Sequence, residues 1–231
     1  MEVQKMKKKI IALLAVAMLT LATNAMATDA ILDLGGSYNT IASLVNGHST
    51  NEGGGSVGSS SLNGRQLDYL YCVDLFTTVY VNAPYPNTTI NNSGQIYGNQ
   101  ILNADKVAYL LTTYGTGAQT NQQIALQAAI WHEVNASGVY ELNVEQYGLN
   151  PDIATLYKTY VDAANSYSGP NLVSNFTWIT PGTKDANGKL TMYQGLVTSN
   201  PVPEPSTIIL LGTGMLFMAV YGKRRMNKEA L

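Results

Sequence analysis

One cysteine, Cys72, stands in 231 residues, and that limits the chain more than its length does. A single thiol excludes an intramolecular disulfide, so the fold must be held by packing and hydrogen bonds. The length allows one domain, or two small ones, with a real core. Hydrophobic residues make up 45% and charged residues 12%, about half the usual charged share. This argues against a coiled coil or a charged disordered tail. The basic residues gather at the ends: Lys5, Lys7, Lys8 and Lys9 at one, Lys223, Arg224, Arg225 and Lys228 at the other. Between Thr28 and Asn200 five basic residues face twelve acidic ones, a net charge of −7. An acidic, Tyr-rich middle has no electrostatic footprint for nucleic acid, which is excluded as a partner.

Both ends read as addresses. Met1 to Lys9 is a basic n-region, and Ile10 to Leu21 an apolar run too short and wrongly flanked for a stable span. Ala25-Met26-Ala27 presents small residues where a signal peptidase cuts, so residues 1–27 are expected to leave as a signal peptide and the mature chain to start at Thr28. The alternative is a retained membrane anchor. At the other end, Thr207 to Tyr221 is apolar and uncharged, and Lys223, Arg224 and Arg225 follow. At about 1.5 Å per residue, a helix of that run falls short of a hydrocarbon core of about 30 Å and spans only with help from its flanks. Its basic cluster would stay cytoplasmic. Pro203-Glu204-Pro205 precedes it as an extended, accessible hinge.

Pro-Glu-Pro, a short apolar helix and a terminal basic cluster resemble the PEP-CTERM sorting signal of Gram-negative bacteria. The resemblance covers Pro201 to Arg225 and implies processing near Pro203, Glu204 and Pro205 by an exosortase, in species that often make exopolysaccharide. An ordinary C-terminal anchor shares two of the three elements. Three segments are therefore expected: 1–27, an extracellular domain over 28–200, and a sorting signal over 201–231 with a short transmembrane helix. The protein would be held transiently at the inner membrane and end at the cell surface or in the extracellular matrix.

Within 28–200, residues 46 to 64 are so rich in Gly and Ser that they read as a flexible loop. No lysine follows the glycines in P-loop fashion. Gln66 to Leu75 has strand character, with Leu67, Tyr69, Tyr71, Val73 and Leu75 on one face and Asp68, Leu70, Cys72 and Asp74 on the other. Thr77 to Val81 continues as a strand or extended segment. Three helices follow. The first is capped by Asn103 and runs through Tyr114, the second opens on a Thr120/Gln123 capping box and runs through Val134, and the third opens on Asn150-Pro151. Asn175 to Ile179, and Leu190 to Val197 after the Asn187-Gly188 turn, read as late strands. Strands around a helical middle predict an α+β domain.

Two residues do not fit an ordinary core. A bare thiol outside the cytoplasm risks oxidation, so Cys72 is either buried and inert, a nucleophile, or consumed in another covalent bond. On the helix from Thr120, the residues Ile124, Leu126, Ile130, Trp131 and Val134 form one apolar arc, and Gln127 falls in its middle. A buried carboxamide without partners costs about 1–3 kcal/mol, so something must satisfy it, a backbone group being the usual answer.

Tyr71-Cys72-Val73-Asp74 and Leu126-Gln127-Ala128-Ala129-Ile130-Trp131 resemble the paired signatures of thioester domains in bacterial surface adhesins. Lys106-Val107-Ala108-Tyr109-Leu110-Leu111 resembles that family's intervening helix. The likeness covers Leu67 to Ser166, although the known examples are mostly Gram-positive proteins with a different wall anchor and further stalk domains. It implies a thioester-domain-like fold, with β-sandwich or barrel elements and a helical subdomain. It also implies an internal Cys72–Gln127 thioester that captures amine or hydroxyl nucleophiles on a protein or polysaccharide, for adhesion or biofilm formation. Trp131 would cover the bond. Such chemistry is single-use rather than enzymatic turnover, and it calls for no cofactor and no metal.

Asp74 shares the strand face of Cys72 and reads as a structural, hydrogen-bonded carboxylate. His132 follows Trp131 but helical phase turns it away from Gln127, and Glu133 reads as solvated surface. Two other functions fit the same residues. One is a noncovalent exopolysaccharide-matrix protein with Cys72 a free thiol. The other, a Cys–His hydrolase using Cys72 and His132, needs an oxyanion hole that the sequence does not display.

Overall fold

Buried and exposed residues alternate along the first strand, β1 (Thr28–Leu34), which buries Ala30, Leu32 and Leu34 and turns Ile31 and Asp33 outward. The structure is a computed structural model that describes residues 28–117, 119–146 and 150–200, together with 212, 214, 215 and 218. The expected leader 1–27 lies outside the described residues, as does the apolar run 207–221 except for 212, 214, 215 and 218, which are helical. No helix among the described residues is long and apolar enough to cross a membrane. Contacts divide the chain into two units, Met1–Ser199 and Asn200–Leu231, and the architecture below is that of the first.

After β1 come β2 (Ser37–Val45), β3 (His48–Gly58), β4 (Ser61–Leu62), β5 (Arg65–Gln66), β6 (Tyr71–Cys72), β7 (Ala83–Asn91), β8 (Gln95–Ile96) and β9 (Asn99–Gln100). Helices α1 (Ala104–Tyr114) and α2 (Thr120–Val134), strand β10 (Tyr140–Leu142) and helix α3 (Pro151–Asn165) form the middle. The chain closes with β11 (Phe176–Thr180), β12 (Gly182–Lys184), β13 (Leu190–Met192) and β14 (Leu196–Ser199). A curled, seven-stranded antiparallel sheet runs in the order β5-β4-β1-β7-β11-β14-β6, and a second sheet runs β10-β2-β3. The domain is α+β, as the strand and helix patterns predict.

The Gly-rich stretch departs most from expectation. Instead of a flexible loop it forms β3, paired along its length with β2 from Val45↔His48 to Ser37↔Gly58. One of its glycines answers to the helix above it. A methyl group at Gly54 would lie 2.7 Å from Gln127 Cγ, 2.8 Å from Trp131 Cη2 and 3.0 Å from Ile41 Cδ1. Next to it Gly55 takes φ +89°, where the β2–β3 register shifts. Composition suggested entropy here, but Gly54 makes room for α2.

Three other expectations shift. Gln66 to Leu75 is not one strand: only Tyr71–Cys72 joins a ladder on the β14 side, and Tyr69 through Val73 are all buried. Thr77 to Val81 is irregular rather than a strand. The stretch from Leu190 to Val197 breaks into β13 and β14. Strand β7, which pairs with both β1 and β11 near the centre of the sheet, carries Pro84 and Pro86 and so does not read as a central strand. The β1–β7 ladder accommodates Pro86 at a register shift between Ala30 and Leu32.

The helices start as expected but are fastened differently. Asn103 makes no side-chain cap bond and sits at φ 50°, and its Nδ2 donates to Glu133 O and Oε2 at 3.0 and 3.3 Å. Helix α2 is bracketed one residue early, with Gln119 N–H donating to Gln122 Oε1 at 3.4 Å. Asn150 lends no cap bond to α3 and instead donates to Asn121 Oδ1 at 3.4 Å. Glu133 is not solvated surface. It is 2% exposed and pairs through Oε2 with Lys106 Nζ at 3.0 Å, because α1 packs on the face of α2 that a lone amphipathic helix would leave to water.

Gly54→Ala should lower stability by about 1–3 kcal/mol, the usual cost of overpacking. Gly53→Ala, whose methyl would meet only the exposed Tyr38 ring at 3.0 Å, should cost much less. Urea unfolding of the two variants side by side measures the difference.

Candidate functional site

Cys72 lies at the end of the larger sheet, where β6 has a ladder partner on one side only, β14. Val73 N–H donates to Gly195 O at 2.8 Å on that side. In an antiparallel pair successive residues point their amides to opposite sides, so the N–H and C=O of Cys72 face outward. Gln127 meets both. Its Oε1 accepts from Cys72 N–H at 2.8 Å and its Nε2 donates to Cys72 O at 2.7 Å.

The carboxamide thus behaves as one more peptide group added to the sheet edge. Its orientation is fixed, since exchanging O and N would set donor against donor and acceptor against acceptor. Gln127 is fully buried and Cys72 is 2% exposed, so these bonds satisfy groups that would otherwise cost about 1–3 kcal/mol each. The apolar arc of α2 therefore carries one polar residue with a defined partner.

The surroundings are dry. Trp131 is fully buried, stands against the stem of Gln127 beside Gly54, and meets the Tyr140 ring edge-on at 5.5 Å. Tyr71 is also fully buried, with its hydroxyl donating to Gly115 O at 3.4 Å and its ionisation pushed upward by burial. Burial first, and the negative charge of Asp74 second, push the Cys72 thiol up to about 12. As a free thiol the sulfur would be protonated at neutral pH.

Asp74 is a structural anchor. Its Oδ1 accepts from Phe76 N–H at 3.0 Å and its Oδ2 from the Tyr97 hydroxyl at 2.6 Å. Gln194 Nε2 donates to Asp74 O at 2.5 Å, and Gln194 N–H to Thr78 O at 3.3 Å. Together these bonds hold the irregular segment after Cys72 in place. His132 belongs elsewhere: its Nδ1 lies 3.1 Å from Tyr157 Oη and 3.6 Å from Glu141 Oε1, at the surface. The structure therefore brings Cys72, Gln127, Tyr71 and Trp131 together, keeps Asp74 beside them as a brace, and leaves His132 apart. Among the described residues no three of His, Cys, Asp and Glu gather as a metal-holding group.

A cleft of about 340 Å³ opens onto Cys72. Gly54 and Gln194 line it deep down, and Glu52, Tyr38 and Tyr80 stand around it. Tyr38 and Tyr80 are 54% and 64% exposed. Of these residues the sequence had singled out Cys72 alone. Glu52 and Gly54 sit in the stretch taken for a loop, and Tyr97 and Gln194 reach the site from distant parts of the chain. The run Glu52-Gly53-Gly54-Gly55 was the available signal, since consecutive glycines also mark a place where another element approaches closely.

Residues 201–225 match the PEP-CTERM protein-sorting motif. Pro203, Glu204 and Pro205 lie within that match. The motif marks an exported protein, anchored at the membrane before an exosortase processes it. No curated protein and no solved structure matches the chain.

The raised ionisation of Cys72 has a testable consequence. The protonated thiol is the favoured form in the folded state, so its contribution to stability is complete below about pH 9 and is lost as pH rises toward 12. In Gln127→Met, which keeps the side-chain volume but offers no acyl group, alkylation of Cys72 should still climb about tenfold per unit between about pH 8 and 10. A rate that levels near 9 would show an ordinary, accessible thiol.

Proposed function

We propose that this exported, exosortase-processed protein carries an internal thioester between Cys72 and Gln127 and uses it once, to bind itself covalently to a surface or matrix. The observation that carries the reading is the Gln127 carboxamide held on the backbone of Cys72 by two hydrogen bonds. A thioester-domain-like fold is the architecture that goes with it.

In the forming step the Cys72 sulfur attacks Gln127 Cδ and its proton passes to the departing nitrogen. The C–N bond breaks, ammonia leaves and an S–C bond remains. The Cys72 N–H supports this step, because it already points at Oε1, the atom that gathers negative charge as the carbon becomes tetrahedral. Holding thiol and carboxamide on one dry sheet edge makes the reaction effectively unimolecular, and burial of Trp131 limits hydrolysis. In the capture step an amine or hydroxyl entering through the cleft attacks the same carbon. The S–C bond breaks, Cys72 recovers its proton, and Gln127 is joined to the target by an amide or ester. Protein and polysaccharide surfaces both supply such nucleophiles. The protein is consumed, so there is no turnover.

The placement of His132 against Tyr157 and Glu141 favours no Cys–His pair, and the high ionisation point of Cys72 is the reverse of what an activated thiolate needs.

Intact mass tests the reading. The full chain, purified without added amines, should be lighter by one ammonia than the mass predicted from Cys72→Ala after allowing for the substituted atoms. Methylamine should add covalently to the wild type alone, at Gln127. A wild type with no such deficit, no methylamine adduct and a freely titrating Cys72 would end the covalent mechanism and leave a noncovalent matrix protein.

A further inference from the structure

A second constellation lies on the helical side of the domain, and the thioester chemistry makes no use of it. Lys106 on α1 places Nζ 2.6 Å from Asn165 Oδ1, at the last residue of α3, and 3.0 Å from Glu133 Oε2 on α2. Glu133 is 2% exposed, and its second oxygen, Oε1, is buried without a hydrogen-bond partner. Asn103 Nδ2 holds Oε2 from the far side at 3.3 Å. Three residues beyond Lys106 and two beyond Asn165, the rings of Tyr109 and Tyr167 stack at 4.2 Å, only 17° from parallel. That stack clamps the two helices at the point where amine meets carboxamide.

An amine, a carboxamide and a buried carboxylate with a spare oxygen are the components of an amide-forming site. We infer that Lys106 and Asn165 join in an intramolecular isopeptide bond, with Glu133 carrying the proton. The Lys106 ammonium gives a proton to Glu133, and the freed lone pair attacks Asn165 Cγ. Glu133 and the attacking nitrogen return protons to Asn165 Nδ2, the Cγ–Nδ2 bond breaks, and ammonium departs. One ammonium and one carboxamide become one amide and one ammonium ion, and Glu133 ends as it began. No oxidant or cofactor is needed. Passing the proton to Glu133 also removes two charges from a site where the carboxylate has almost no contact with water, which lowers the cost of reaching the neutral amine. Proximity supplies the rest, since both reactants are fixed on packed helices.

The bond ties α1 to α3 in a chain whose one cysteine leaves it no disulfide. It is independent of the Cys72–Gln127 reading, and either can fail alone.

Tryptic mapping of the full chain tests it, with Cys72→Ala used in parallel to keep the thioester out of the same peptide. Trypsin cuts after Arg65, Lys106, Lys158 and Lys184 in the unlinked protein. The isopeptide blocks the cut at Lys106, so peptide 66–158 should appear joined to 159–184, one ammonia lighter than their sum, with fragmentation placing the link at Lys106 and Asn165. Asn165→Ala should restore the separate peptides. Glu133→Gln, which keeps the size of the side chain and loses the proton carrier, should at least sharply reduce the linked fraction. Separate 66–106, 107–158 and 159–184 in the wild type would overturn the proposal. So would a link from Lys106 to Glu133 by loss of water, or full linkage in Glu133→Gln.

Discussion

The pairing of one side-chain amide with one backbone amide is the constraint around which this domain is arranged. Gln127 completes the open edge of β6 as a neighbouring strand would, but it comes from a helix. A helix axis cannot approach a strand as closely as another strand can, and only a side chain as long as glutamine spans the gap while ending in a peptide-like group. For α2 to reach that position the sheet beneath must be thin, and β3 is thin there because Gly54 has no side chain. Trp131 then fills the space beside Gln127. Shape, hydrogen bonding and composition thus answer to one contact.

Burial decides the electrostatics of the site. A buried thiol stays protonated, and Asp74 reinforces this from the same segment. Such a sulfur resists oxidation and casual alkylation, which resolves the difficulty of keeping one free cysteine outside the cytoplasm. In the proposed chemistry its reactivity comes from position rather than from ionisation, and the carboxamide held on the Cys72 backbone supplies that position.

Much of this was legible in the sequence, for local reasons. Periodicity on α2 located Gln127 within an apolar arc because a helix writes its faces into its spacing, and the same phase turned His132 away from it. The sorting motif was legible because three short elements follow one another in order. What escaped notice depended on partners far away in the chain. Glu133 reads as surface until α1 brings Lys106 to it. Residues 46–64 read as a loop until α2 supplies a reason for Gly54, and β7 is hidden by Pro84 and Pro86 until the β1 ladder pairs Pro84 with Asp33 and shifts register at Pro86. Tyr97 and Gln194 brace the segment after Cys72 from 23 and 120 residues away, a dependence no local window can hold.

The hydrogen bond from Gln127 Nε2 to the Cys72 carbonyl also gives the proposed chemistry a built-in cost. Nε2 is the atom that departs as ammonia, so forming the thioester leaves that carbonyl facing a site with no donor. The activated state is therefore strained at the backbone as well as at the acyl carbon. A primary amine that attacks there becomes a secondary amide, and its usual trans form puts the captured group, not the N–H, on the side where Nε2 donated. An ester oxygen has no hydrogen to donate at all, so with either captured group the edge stays open. The carbonyl that positions the glutamine before reaction would then be left without its partner afterwards, so capture gives up one of the two bonds that hold α2 to the sheet edge.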